Sequence, residues 1–144
     1  KKKTIIIRNP NFNRPWQHVL EPLNGYLILA KKIYNNPKKY SGAWNFGTSK
    51  NTVTSVRNVV ENIVKFWGKG DIKINQNKTY YEQINLQLNI NKSKTILKWK
   101  PKYNIKKSIQ VTVDWYKSVL IDKINPNLIT EKQIKEFIKY DKSN

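Results

Sequence analysis

The chain switches repeatedly between runs of adjacent or alternating apolar residues and stretches where apolar residues recur every three or four positions. The first pattern belongs to β-strands and the second to amphipathic helices. Residues 3–8, with Ile5, Ile6 and Ile7 in succession, predict a buried strand. Two prolines and three asparagines make residues 9–15 a loop, followed by a short extended piece at 16–19. Leu23, Leu27, Ala30 and Tyr34 share one helical face, which predicts a helix over about 21–35. Glu21 suits its first turn, where the helix dipole favours a carboxylate, and Pro22 fits where no N–H is needed.

Residues 43–47 predict a second short strand, ending at Gly47. The strongest periodicity comes next: Val56, Val59, Val60, Ile63, Val64 and Trp67 line one face of a helix, with Thr54 as its N-cap and Gly68 and Gly70 as stops. A strand over 71–74, a polar loop over 75–85 and a strand over 86–90 follow, then about two helical turns in 91–99 before Pro101. Asn104 caps a helix running to about residue 121, with a stripe of Ile105, Ile109, Val113, Tyr116 and Leu120. Residues 130–140 predict a last helix, capped by Thr130 with Gln133 completing a capping box. Strands and helices alternate without an internal repeat or a disordered linker, so the fold class is α/β.

The formal charge of +19 changes the picture less than it first suggests. Lysines outnumber arginines 25 to 3, whereas readers of bases and phosphates lean on the bidentate fork of arginine. The lysines are spread along the chain, not gathered in one basic block. Lys, Asn and Ile make up 62 of the 144 residues, and all three have A/T-rich codons, so a compositional bias of the gene accounts for the charge. Nucleic acid is therefore not expected as the partner. Without cysteine there is neither a disulfide framework nor a thiolate metal site. The longest apolar run, 26–30, is far too short for a membrane span, and no secretory leader is visible, so a cytoplasmic location is expected. A chain of this length without methionine, opening on three lysines and an apolar strand, reads as a piece cut from a larger protein.

Candidate chemistry centres on the segment between the first strand and the first helix. Arg14, the one cation of that loop, can present its planar N–H fork to a phosphate close to a helix N-terminus. His18 is the chain's one histidine; unaccompanied by cysteine, it does not make a zinc site. Asn9 and Asn11 could donate to ribose or phosphate, or serve turn chemistry alone. Trp16 is read as packing rather than as a stacking platform. The five glycines, at 25, 42, 47, 68 and 70, form no Gly-x-x-Gly-x-x-Gly, so nothing here cradles a dinucleotide pyrophosphate. The Tyr-x-x-x-Lys spacings at Tyr34–Lys38 and Tyr103–Lys107 are at the level chance allows and are rejected as catalytic.

The stretch Arg14-Pro-Trp-Gln-His18-Val-Leu-Glu21-Pro-Leu strongly resembles the substrate-binding half of the CDP-glucose 4,6-dehydratases, which are extended short-chain dehydrogenase/reductase enzymes. The likeness extends to Ala43-Trp-Asn-Phe-Gly47, Leu86-x-Leu-Asn-x-Asn-Lys92-Ser, Leu97-Lys-Trp-Lys-Pro101 and Thr112-Val-Asp-Trp-Tyr116. It implies the C-terminal substrate-binding portion, spanning 1–144, of an NAD-dependent lyase that dehydrates CDP-glucose to CDP-4-keto-6-deoxyglucose. Arg14 would contact the diphosphate, His18 would line the nucleotide pocket, and Lys78 and Glu82 would belong to a lid near the second phosphate. The segment departs from the family there: Tyr80 and Tyr81 replace a usual histidine, and Asn89 and Lys98 replace a usual aspartate and glycine.

By the same resemblance NAD is held by an absent Rossmann half, where the catalytic Tyr-x-x-x-Lys also lies. The partners implied are a CDP-sugar, that missing half and further copies in a homo-oligomer. The piece alone should be inert, with an apolar patch exposed around residues 5–7 and 43–47. The alternatives are another sugar-nucleotide dehydratase or epimerase of the family, or a small basic nucleic-acid-binding module.

Overall fold

A computed structural model describes residues 4–49, 53–75 and 86–140. Strand β1 (Ile5–Ile7) runs parallel to β4 (Ile72–Ile74), with Ile5, Ile6 and Ile7 opposite Ile72, Lys73 and Ile74. Strand β2 (Asn13–Arg14) pairs antiparallel with β3 (Thr54–Ser55). Helices α1 (Leu20–Asn35), α2 (Pro37–Tyr40), α3 (Val56–Trp67), α4 (Asn91–Ile96), α5 (Ile105–Leu120) and α6 (Pro126–Lys139) supply most of the described residues. The α/β alternation predicted from the pattern is present.

Three apolar clusters hold the elements together. Val59, Ile109 and Val113 weld α3 to α5, with Ile63, Phe66, Trp67 and Ile105 around them. Tyr103, Val111 and Phe137 join α5 to α6, closed by Leu20 and Tyr140. Phe46, Ile90, Leu97 and Trp99 form the third, onto which Ile28 and Leu29 of α1 pack together with Tyr40 and Trp44. Gly25 lets α1 lie directly on the Phe46 ring, because a methyl there would overlap it.

Several expectations need correction. The first strand is not buried as a whole: Ile7 is 3% exposed but Ile6 is 62% exposed, since no described residue covers one face of this two-stranded ribbon. Residues 43–47 and 86–90 run without strand pairing, and Phe46 and Gly47 are buried rather than exposed. The expected apolar patch is therefore met at Ile5 and Ile6 and fails at 46–47, which the third cluster covers. Helix α3 is capped by Ser55, whose hydroxyl accepts from Asn58 N–H at 3.2 Å, not by Thr54, which lies in β3. Helix α6 starts one turn earlier than predicted, on Asn125 with Pro126 behind it. Thr130 then falls inside the helix, where its hydroxyl accepts from Trp115 Nε1 at 2.9 Å.

The predicted face of α1 also turns outward. Leu23, Leu27 and Tyr34 are exposed, Leu27 by 72% and Tyr34 by 90%, while the buried positions are Glu21 and Gly25. Tyr116 and Leu120 at the end of the α5 stripe are exposed as well.

Candidate functional site

The turn after β1 is built by its backbone. The Asn9 carbonyl accepts from Phe12 N–H at 3.3 Å, and the carbonyls of Pro10 and Phe12 accept from Arg57 and Val56 at the start of α3. Orphan N–H donors of a helix start are thereby satisfied by the loop. Asn9 is half-buried within this turn and Asn11 is exposed on it.

Arg14 follows on β2, opposite Thr54. Its Nη1 donates to the Asn13 carbonyl at 2.9 Å, and the guanidinium carbon lies 5.3 Å from the centre of the Phe12 ring. Both contacts fix the plane of the fork at a half-buried position.

His18 is 5% exposed and stands just ahead of α1. Its Nδ1 accepts from Leu20 N–H at 3.3 Å, so the neutral ring carries its proton on Nε2. Tyr103 meets it edge-on, 5.8 Å between centroids. Burial lowers the imidazole pKa below 6.5, because a charged ring is poorly solvated there. A cavity of about 460 Å³ opens beside it, walled by Gln17 to Leu20 and by Trp115 and Tyr116 of α5.

Arg14 is not among the residues lining this cavity. The structure thus sets the two leading candidates on adjoining pieces of chain but does not bring them to one cleft among the described residues. Lys78 and Glu82, with the proposed lid, lie outside the described residues.

Sequence reasoning passed over Gln17. Gln17 lines the His18 cavity, a polar one of about 280 Å³ and an apolar one of about 340 Å³ between α3 and α5. Its Nε2 donates to the Phe46 carbonyl at 3.0 Å, while its Oε1 is buried without a partner among the described residues. Trp16, expected to pack, is 38% exposed and lines the second and third of these cavities.

Glu21 is 1% exposed, and its carboxylate accepts from the N–H groups of Lys102 and Tyr103 at 2.6–3.0 Å. Its role is thus a long-range clamp, more than the dipole partner its first-turn position suggested. Nothing local could have announced it, because both donors lie more than eighty residues away.

The described residues do not fit a dinucleotide. Gly25 sits inside α1, Gly47 abuts Leu88 and Gly68 closes α3 with φ 91°. No described glycine occupies a turn from strand into helix, where a pyrophosphate is cradled. No group of three metal-ligating side chains occurs among the described residues, and no described helix is long and apolar enough to cross a membrane. Tyr103, part of a rejected Tyr-x-x-x-Lys spacing, has its hydroxyl pushed up to about 12 by burial, then by the charges of Glu136 and Glu21. That is the opposite of what a proton-abstracting phenol needs.

No protein-family model matches the chain. The CDP-glucose 4,6-dehydratase of Salmonella typhimurium is 35% identical over 115 residues, which is 79% of this chain and 32% of that protein. The dTDP-glucose 4,6-dehydratase of Bacillus anthracis, solved in complex with NAD, superposes with a TM-score of 0.63 at 24% identity, over 81% of this chain and 35% of that one. The UDP-N-acetylglucosamine 4-epimerase of Bacillus cereus superposes at 0.58 with 16% identity, over 77% of this chain and 37% of that one. RMD of Pseudomonas aeruginosa, complexed with NADPH, gives 0.61 at 17% identity, over 77% of this chain and 35% of that one. The chain spans about a third of the length of these relatives. In sequence the chain is similar to about a third of a CDP-glucose 4,6-dehydratase, and its fold is that of the matching portion of solved sugar-nucleotide dehydratase and epimerase structures.

Proposed function

We propose that this chain is the substrate-placing portion of a CDP-glucose 4,6-dehydratase and is catalytically inert by itself. The observation that carries the reading is the 35% identity to the Salmonella typhimurium enzyme over 115 residues. The motif running from Arg14 to Leu23 supports the same reading. Arg14 meets the diphosphate of the sugar nucleotide with its fork, already held in plane by Asn13 and Phe12. His18 acts as a neutral Nε2–H donor toward the nucleotide, since burial disfavours its charged form. Asn9 and Asn11 add donors from the adjoining turn, and Lys78 and Glu82 belong to a segment that covers the nucleotide. NAD, bound by a Rossmann half that this chain does not span, supplies the hydride chemistry. The residues here bind and orient the substrate.

The exposed stripe of Leu23 and Leu27 on α1 supports a further covering element of the same enzyme, because a patch of this kind is unfavourable to leave in water. The whole protein is taken to assemble as a homo-oligomer in the cytoplasm.

Calorimetric titration of the complete enzyme tests this reading. CDP-glucose binds in preference to GDP- and dTDP-sugars, and Arg14→Ala weakens binding by about tenfold or more, as expected for losing a charged bidentate contact. Arg14→Lys recovers only part of it. Equal affinity for all nucleotides overturns the choice of CDP. In that event the second reading, another dehydratase or epimerase of the family, takes its place; it is favoured by the likeness to the dTDP-glucose dehydratase and the epimerase structures.

A further inference from the structure

Lys102 and Tyr103 tie the end of α6 to the segment that carries His18. Lys102 Nζ donates to the Phe137 and Ile138 carbonyls at 2.9 and 3.2 Å and lies 4.9 Å from the centre of the Phe137 ring. The last carbonyls of a helix lack partners within it, so an ammonium there is both hydrogen-bonded and favoured by the dipole. Tyr103 packs edge-on against Phe137 and Tyr140, with centroids 5.1 and 4.8 Å away. In the other direction the same two residues give their N–H groups to Glu21, three positions after His18.

Tyr103 is also the ring that bears on His18. The centroids are 5.8 Å apart with the planes at 63°, and both side chains are buried. The imidazole is therefore held from two directions. Leu20 N–H meets its Nδ1 from within its own segment, at 3.3 Å. Tyr103 meets the ring from a part of the chain more than eighty residues away. The outer torsion of a histidine is broad, so one hydrogen bond of this length leaves the ring room to rock. A second contact on the ring narrows that motion, and with it the directions open to the Nε2–H.

We propose that Tyr103 is a positioning residue for His18, and that the end of α6, by holding Tyr103, sets how tightly the nucleotide is bound; this rests on His18 being the donor toward the nucleotide proposed above. Tyr103 acts through the imidazole and not on the substrate. Phe137 and Tyr140 fix the Tyr103 ring from one side, while Glu21 fixes its backbone from the other. His18 and Glu21 are thereby anchored on the same two residues, one through its ring and one through its carboxylate. Aromatic packing for stability alone would also bring such rings together. The two roles differ in what a change of Tyr103 does once His18 has been removed.

A double-mutant cycle read by titrating the complete protein with CDP-glucose tests the proposal. Tyr103→Leu weakens binding about fivefold or more, while Tyr103→Phe, which keeps the ring, stays within about twofold of wild type. Tyr140→Ala weakens it about threefold. In the His18→Gln background neither Tyr103→Leu nor Tyr140→Ala adds more than about twofold. Equal losses in the two backgrounds overturn the proposal, since Tyr103 would then act through stability alone. Nitrogen NMR spectra of the 144-residue chain read the imidazole directly, because His18 is its one histidine. Wild type and Tyr103→Phe keep the Nε2–H tautomer at neutral pH, whereas Tyr103→Leu moves both ring nitrogens toward the average of the two tautomers. An unmoved imidazole in Tyr103→Leu overturns the positioning role whatever the titration gives. If the imidazole moves but His18→Gln leaves affinity unchanged, the reading of His18 fails and the link from α6 to the nucleotide is overturned with it, while the positioning of the ring stands. If Tyr103→Leu loses its helical circular dichroism, Tyr103→Met, which fills more of the space, is read in its place.

Discussion

At the scale of single residues, Glu21 and His18 show how burial turns a common side chain into a constraint. The Glu21 carboxylate takes the N–H groups of two successive residues, Lys102 and Tyr103, away from water. Glu21→Ala leaves the buried Tyr103 N–H and the half-buried Lys102 N–H without this partner, and the expected destabilisation is about 3 kcal/mol. Urea denaturation of wild type and variant measures it, and a loss below about 1 kcal/mol would contradict the clamp. His18 works in the other direction. Its folded pKa lies below 6.5, so the unfolded chain takes up the proton first as the solution is acidified. Its contribution to stability is complete above 6.5 and declines as pH falls from there through the folded pKa. His18→Gln should flatten that part of the stability curve, which denaturation midpoints at pH 5 to 8 would reveal. Lys98 adds a local strain: it adopts φ 57°, in the left-handed region that favours glycine.

At the scale of elements, the helices were legible in the sequence and the strands much less so. The α3 face from Val56 to Trp67 is a property of spacing alone, and α5 follows its Asn104 cap closely. Caps were harder, because several polar residues in a row can each accept from a helix N–H. Thr54 and Ser55 are neighbours, and pairing with Arg14 in β2 takes Thr54 out of contention. For α6, Thr130 with Gln133 imitates a capping box, yet Asn125 before Pro126 starts the helix a turn earlier. Asn125→Ala should therefore cost about 1 kcal/mol. Thr130→Val should act instead through the lost Trp115 hydrogen bond, which shifts tryptophan emission without shortening the helix. Thermal melts followed by circular dichroism and by fluorescence separate the two. Residues 43–47 have the residues of a strand, but strand pairing needs a neighbour that a local pattern does not specify.

At the scale of the whole molecule, periodicity found an apolar stripe on α1 that the structure leaves exposed, and could not say what covers it. In this chain the core takes Gly25, Ile28 and Leu29, on the side of the helix opposite Leu23 and Leu27. The candidate site was legible to the same degree. The segment around Arg14 and His18 stood out by its residues, whereas Gln17 mattered only once α3, α5 and residue 46 had converged on it. A double Leu23→Asp, Leu27→Asp variant should change the stability of the isolated chain by less than about 0.5 kcal/mol. On the reading proposed above, the same change in the complete protein should abolish activity and speed cleavage by protease next to α1. Unchanged activity would mean that the face stays in solvent.

The Glu21 clamp also sets an order of events during synthesis. Its donors emerge from the ribosome eighty-one and eighty-two residues later, so the start of α1 must wait for Tyr103 before it can be anchored. Until then a carboxylate destined for the interior remains hydrated, holding the first helix open while the middle of the protein is made. Nascent chains arrested before residue 102 should therefore be cut by protease near α1, and those arrested well after it should resist.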